Sequence, residues 1–222
     1  MKSTERSMSA RDAVLQAIRS ATGEAAEADL AQADAAWSAL PRLYRASHKE
    51  RSEGSLALLI ERLMDYDAVV ERTSDAKVAE TLLRLLRSQG LTKVLVPQGF
   101  PRQWHPQDRA TVECDSSSVA LIESFDGVVT TAALGIAETG TLVLTHGPGQ
   151  GRRAFSLVPD RHLCILRSTD VVATVPDAFA RLAADSRSPI TFISGPSATA
   201  DIEMTRIKGV HGPRFLTVLL VD

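Results

Sequence analysis

Apolar residues recur at helical spacing in the first part of the chain and in short, strand-length runs in the rest. Val14, Leu15 and Ile18 fall three and four apart within residues 9–21, with Ser9 placed to cap, and predict a short amphipathic helix. Residues 23–40 favour helix through Ala, Glu and Asp, yet acquire an apolar face only at Trp37 and Leu40. After a polar, basic connection from Pro41 to Gly54, the residues Leu56, Leu59, Ile60, Leu63 and Met64 trace a clear helical stripe. Val69-Val70 reads as a first strand. Val78, Leu82, Leu85 and Leu86 share one face of a further helix, which Ser74 or Asp75 can start and Gly90 must end. Val94-Leu95-Val96-Pro97 follows at once as a strand.

Strand-length runs then alternate with Gly, Pro and Ser turns at 119–122, 127–131, 141–145, 154–158, 163–166, 171–175, 191–194 and 215–221, with one helix expected at 177–184 after Pro176. Helix and strand in such close succession predict an α/β fold. Runs joined by a few residues must pair antiparallel, whereas runs joined through helices can pair parallel. The expectation is a mixed sheet flanked by helices, with an N-terminal helical extension over residues 1–50 and one larger domain over 51–222.

Composition narrows the function classes. A chain of 222 residues with 44% hydrophobic content can bury a full core. Its 25 basic and 27 acidic side chains leave a formal charge of −2, which offers no electrostatic footprint for nucleic acid or an anionic membrane. No apolar run approaches the roughly 18 residues that span a bilayer. Charged residues from Lys2 to Arg19 interrupt any secretory signal, so a cytoplasmic location is expected. Cys114 and Cys164 form no CxxC pair, and no HxH or HxxxH pair marks a metal site, so no metal or cluster is expected on this chain alone.

Candidate chemistry concentrates in three loops. In the first, Gly135-Ile136-Ala137-Glu138-Thr139-Gly140 lies between two strand runs. Gly135 and Gly140 permit close backbone approach, which makes Glu138 a candidate general acid, base or nucleophile; a turn glutamate with local hydrogen bonds is the other reading. In the second, Gly147-Pro148-Gly149-Gln150-Gly151-Arg152-Arg153 can cradle an anion with main-chain amides and guanidinium groups, or be a hairpin loop with solvated arginines. It lacks the Gly-Lys-Ser/Thr ending of a nucleotide-binding P-loop. In the third, Gly195, Ser197, Thr199, Asp201 and Glu203 are followed by Gly209, His211 and Arg214. Asp201 is the second candidate for catalysis, with capping of a helix by Ser197 and Asp201 as the alternative. His146, His162 and His211 can each shuttle a proton or ligate a metal; His211 is best read as a hydrogen-bonded turn residue or an anchor for a polar substrate group.

The residues Gly135 to Thr141, the Pro159-Asp160-Arg161-His162 step, Gly195-Pro196-Ser197, Thr199 to Glu203 and Gly209 to Arg214 together resemble the lactate-utilisation protein C family, whose core is the LUD domain. Ala198 departs from the basic residue expected after Ser197. The resemblance implies a NagB/RpiA/CoA transferase-like fold, shared with ribose-5-phosphate isomerase and the 5-formyltetrahydrofolate cyclo-ligases. It implies a subunit or accessory of a complex oxidising L-lactate to pyruvate, with iron–sulfur clusters held by partner proteins rather than by this chain. An independent acyl- or formyl-group enzyme of the CoA-transferase or cyclo-ligase type is the alternative. Candidate catalytic residues are then Glu138 and Asp201. Gly135, Thr139, Gly140, Arg152, Arg153, Gly195, Ser197, Thr199 and His211 are the candidates to hold a small carboxylic acid or other anion.

Overall fold

The computed structural model describes residues 9–22, 30–41, 52–106, 110–114, 118–183, 189–199, 207–209 and 211–222. The chain divides into two compact units, Met1–Tyr44 and Arg45–Asp222. The first holds helices α1 (Ala10–Thr22) and α2 (Leu30–Ala39). Ser9 caps α1 as its sequence suggests: the Asp12 main-chain N–H donates to the Ser9 hydroxyl at 3.2 Å, and that hydroxyl donates to the Asp12 carboxylate at 2.6 Å.

The second unit opens with α3 (Ser52–Asp65), β1 (Val69–Thr73), α4 (Val78–Ser88), β2 (Lys93–Pro97) and β3 (Ala110–Cys114). It continues through α5 (Val119–Glu123), β4 (Gly127–Thr131), β5 (Leu134–Ile136), β6 (Thr141–Leu144), β7 (Arg161–Arg167) and β8 (Val171–Val172). The remaining elements are α6 (Val175–Leu182), β9 (Thr191–Ile193), β10 (Ala198–Thr199), β11 (Ile207–Lys208) and β12 (Phe215–Val221). Six strands form a fully parallel sheet in the order β1-β12-β7-β4-β2-β3. A second, mixed sheet of four runs β8-β5-β6-β9, and β10 pairs with β11 as a small hairpin.

Alternation along the central strands explains why both faces of the large sheet are covered. Leu163 and Ile165 of β7, Leu219 and Val221 of β12, and Val94 and Val96 of β2 pack with the buried face of α4 and with Phe100 and Trp104. Cys164 and Leu166, with Leu216, Val218 and Leu220, face the other way, onto Leu59 and Leu63 of α3 and Leu142 and Leu144 of β6. The far side of the small sheet is closed by Ala178 and Leu182 of α6. Parallel strands buried on both sides must be apolar at nearly every position, which is why β2, β7 and β12 stand out in the sequence.

Two predicted strands are something else. Residues 119–122 form helix α5, because the Ser118 hydroxyl caps it by accepting from the Leu121 N–H; four apolar residues in a row suit either state. The 154–158 run begins in a 3-10 turn, Arg153–Ser156, whose Phe155 plugs the core beside Leu95 and Val128. That turn sets Arg153 beside the start of β7.

Candidate functional site

β7 enters the large sheet with Arg161 at its start, so His162 is its first inward residue, on the same face as Cys164 and Leu166. The ring is 1% exposed and ends at a cleft of about 240 Å³. Leu216, opposite His162 on β12, completes the floor. One wall is the turn carrying Arg153, Ser156 and Leu157; the other is Phe192, Ile193 and Ser194 at the end of β9, continued by Gly195 to Ala198. His211, Gly212 and Pro213 close the rim.

Each wall is held by identifiable bonds. The Arg153 guanidinium donates to the Ser156 hydroxyl at 2.9 Å, and among the described residues no carboxylate pairs with it. Although Arg153 reaches solvent, the surrounding turn removes enough water to lower its pKa from the usual guanidinium value. The third loop is tied to the rim through Ser197. Its N–H donates to the Pro213 carbonyl at 2.8 Å, its carbonyl accepts from the Gly209 N–H at 2.9 Å, and its hydroxyl accepts from the His211 N–H at 3.2 Å. Outside the rim, Arg214 grips Asp160 through two guanidinium hydrogen bonds of 2.5 and 2.8 Å. Those bonds hold the Asp160 carboxyl below its ordinary pKa.

His162 sits in a buried polar line. Its Nε2 is 2.8 Å from the Thr130 hydroxyl of β4, and that hydroxyl is directed at Cys164 Sγ, 3.7 Å away. Burial, and secondarily the positive charge of Arg153, pushes the His162 pKa down to about 4, so the ring is neutral at physiological pH. Burial also pushes the Cys164 thiol up to about 12, which leaves it an inert thiol.

The structure gathers four of the expected residues, Arg153, Gly195, Ser197 and His211, into this one cleft. Thr139 reaches it indirectly: its hydroxyl is 2.7 Å from that of Thr141, which is 2.8 Å from that of Ser194 on the cleft wall. Glu138 stands on the exposed side of the same turn, its N–H donating to the Ala173 carbonyl, and does not line the cleft. Gly135 and Gly140 serve packing. A Cβ on Gly135 would lie 2.6 Å from Leu166 Cδ2, and one on Gly140, at φ 59°, 2.7 Å from Arg62 Cβ. Arg152 points away, to a second, open hollow with Gln98, Gly99 and His146. Both His146 nitrogens are taken, one by the Gly151 carbonyl at 2.7 Å and one by the Thr191 hydroxyl at 2.8 Å. Thr199 pairs with Ile207 through the β10–β11 hairpin, and Asp201 and Glu203 lie outside the described residues.

His162, which the sequence marks only as one of three histidines able to carry a proton, also lines the cleft. The signal for its placement was a polar ring entering an otherwise apolar strand at a position of inward parity. Among the described residues no three His, Cys, Asp or Glu side chains converge in a metal-binding group, and no helix is long and apolar enough to cross a membrane.

Comparison with known proteins places these features in context. The LUD domain description matches residues 106–221, which include every residue lining the cleft. The chain is 39% identical over 164 residues to lactate utilization protein C of Deinococcus radiodurans, covering 72% of this chain and 76% of that protein. It is 32% identical over 169 residues to an uncharacterized protein, YkgG, of Escherichia coli K12, covering 68% and 72% respectively. A crystal structure of a DUF162 family protein from Deinococcus radiodurans superposes with a TM-score of 0.68 at 34% identity, over 77% of this chain and 98% of that one.

Proposed function

The chain belongs to the LUD-domain family, and on that premise we propose that it serves L-lactate utilisation by holding a small carboxylic acid in the Arg153–His162 cleft. The observation that carries this reading is Arg153. A guanidinium without a carboxylate partner among the described residues, partly stripped of water at the edge of a small cleft, is built to receive an anion's oxygen pair. The cleft has room for an acid of a few heavy atoms. Relatives named lactate utilization protein C support a role in lactate utilisation. In this reading the protein is the acid-binding component of an assembly. The electrons of lactate oxidation pass to iron–sulfur partner proteins in the cytoplasm.

Arg153→Ala should weaken L-lactate binding by roughly 10- to 100-fold, the range for losing a charge-assisted contact. Arg152→Ala should change it less than twofold, because Arg152 does not line the cleft. Titration calorimetry on the purified chain distinguishes them, and equal losses would remove Arg153 from its special role. For the assembly, a tagged copy captured from its native host grown on lactate should bring brown iron–sulfur proteins and lactate-dependent acceptor reduction. Recovery of a colourless single protein would argue against that part.

A further inference from the structure

The small-acid cleft lies at the amino ends of β7 and β12, where His162 and Leu216 are the second residues of their strands. The opposite edge of the large sheet has a different character. β2 and β4 are parallel neighbours, and their carboxyl ends, Pro97 and Thr131, lie on that edge. From β2 the chain turns outward to the edge strand β3, whereas from β4 it passes through β5 and β6 to β7 on the other side. Connections that part in this way open a crevice beyond the strand ends, and open α/β sheets hold their ligands in such crevices. Here a hollow of about 490 Å³ is lined by Gln98 and Gly99, which follow β2, and by His146, Gly147, Gly151 and Arg152 of the glycine-rich loop.

That loop is pinned to the strand ends. Gly149 bridges them, its N–H donating to the Gln98 carbonyl and its carbonyl accepting from the Thr131 N–H, each at 2.8 Å. The Gly151 carbonyl accepts from the His146 ring at 2.7 Å, and the Gln150 side-chain oxygen accepts from the Thr145 N–H at 2.6 Å. Gly149 and Gly151 take φ 76° and 68° with Gln150 between them at ordinary φ, an alternation that turns main-chain N–H groups to one side and suits an anion. The N–H groups of Gly147 and Gly151 have no acceptor among the described residues. Arg152 adds a guanidinium, 5.6 Å from the Phe155 ring, and among the described residues no carboxylate lines the hollow. We infer that this hollow is a second binding site, one for a phosphate group, held by the Gly147 and Gly151 N–H groups and the Arg152 guanidinium. A phosphate presents three acceptor oxygens, enough for main-chain donors and a guanidinium together. The open side of the hollow leaves room for whatever the phosphate is attached to.

The test titrates the full chain with inorganic phosphate and with methyl phosphate at neutral pH, followed by calorimetry and by amide NMR. Binding should move the Gly147 and Gly151 amide resonances and leave those of Gly195 and Gly212, in the other cleft, where they are. Arg152 is exposed, so Arg152→Ala keeps the fold, and it should weaken binding about tenfold or more, the loss expected for a charge-assisted contact. Arg84→Ala, which removes an exposed arginine of α4, should change binding less than about twofold. Tighter binding of methyl phosphate identifies a phosphate ester as the occupant, tighter binding of inorganic phosphate the free ion, and equal affinity a site that reads the phosphate alone; each supports the site. Binding of neither probe, equal losses in the two variants, or shifts confined to Gly195 and Gly212 would overturn it. The two hollows share no lining residue, so failure here leaves the small-acid reading standing.

Discussion

Gly195→Ala is expected to lower the unfolding free energy by about 2–4 kcal/mol, and Gly54→Ala to raise it by about 0.5–1 kcal/mol, in urea melts of the same protein. Gly195 sits at φ 81°, where an L side chain costs roughly 1–2 kcal/mol by itself. Its added Cβ would also lie 2.5 Å from Tyr66 Cβ and 3.1 Å from the Tyr66 carbonyl oxygen, so main chain has to move. Overpacking of that kind adds about 1–3 kcal/mol. Gly54 lies inside α3 with nothing within 4 Å of the Cβ position, so alanine there only removes the entropy penalty of glycine in a helix. The contrast makes a claim about the motif. Gly195 is glycine because the cleft wall must lie against the chain leaving α3. Equal melts for the two variants would contradict it.

Acid should destabilise the protein before any carboxylate titrates, and His162 should be the cause. Its pKa falls from 6.5 to about 4 on folding, so between those values the unfolded chain takes up a proton that the folded one refuses. The stability due to the neutral buried ring is complete above pH 6.5, declines as pH falls, and is gone below about 4. The loss is about 3 kcal/mol for a shift of this size. The carboxylates with lowered pKa values act further down. Asp126, which accepts from the Lys93 and Thr92 N–H groups, and Asp160, bound to Arg214, hold stability above pH 3.8 and lose it only below. Urea midpoints of the unaltered protein and His162→Gln should therefore diverge as pH rises from 4 to 6.5 and run parallel above it. Parallel curves throughout would mean that the ring is not buried in solution.

How much of this was legible in the sequence depends on the physical scale of each signal. β2, β7 and β12 were visible because a parallel strand buried on both faces cannot hide its composition. α4 was visible because Val78, Leu82, Leu85 and Leu86 share one stripe. Residues 119–122 were misjudged because four apolar residues carry no period, and the deciding feature, Ser118 capping the turn, is a single hydroxyl. The division of strands into one parallel sheet and one mixed sheet depends on pairings between distant residues, such as Val218 with Cys164. Among the candidate residues, Ser197, Gly195 and His211 were named through their loops and Arg153 through its charge, and the structure places these four on one cleft. The direction of each side chain was not legible. Neighbouring Arg152 and Arg153 serve different hollows because a 3-10 turn begins between them. Glu138 looked presented because it stands between glycines, but those glycines relieve crowding against Leu166 and Arg62.

The place of β12 has a consequence for synthesis. β1 is an edge strand whose one partner in the large sheet is β12, encoded about 140 residues later. At 5–20 residues per second the ribosome delivers that partner some 7–30 s after β1 has emerged. During that interval Val69 to Thr73 form an unpaired strand, and β7 lacks its neighbour on the same side. The nascent chain then carries sticky, half-built sheet that no earlier segment can complete, which makes it a natural client for chaperones that shield exposed strands until the closing one arrives.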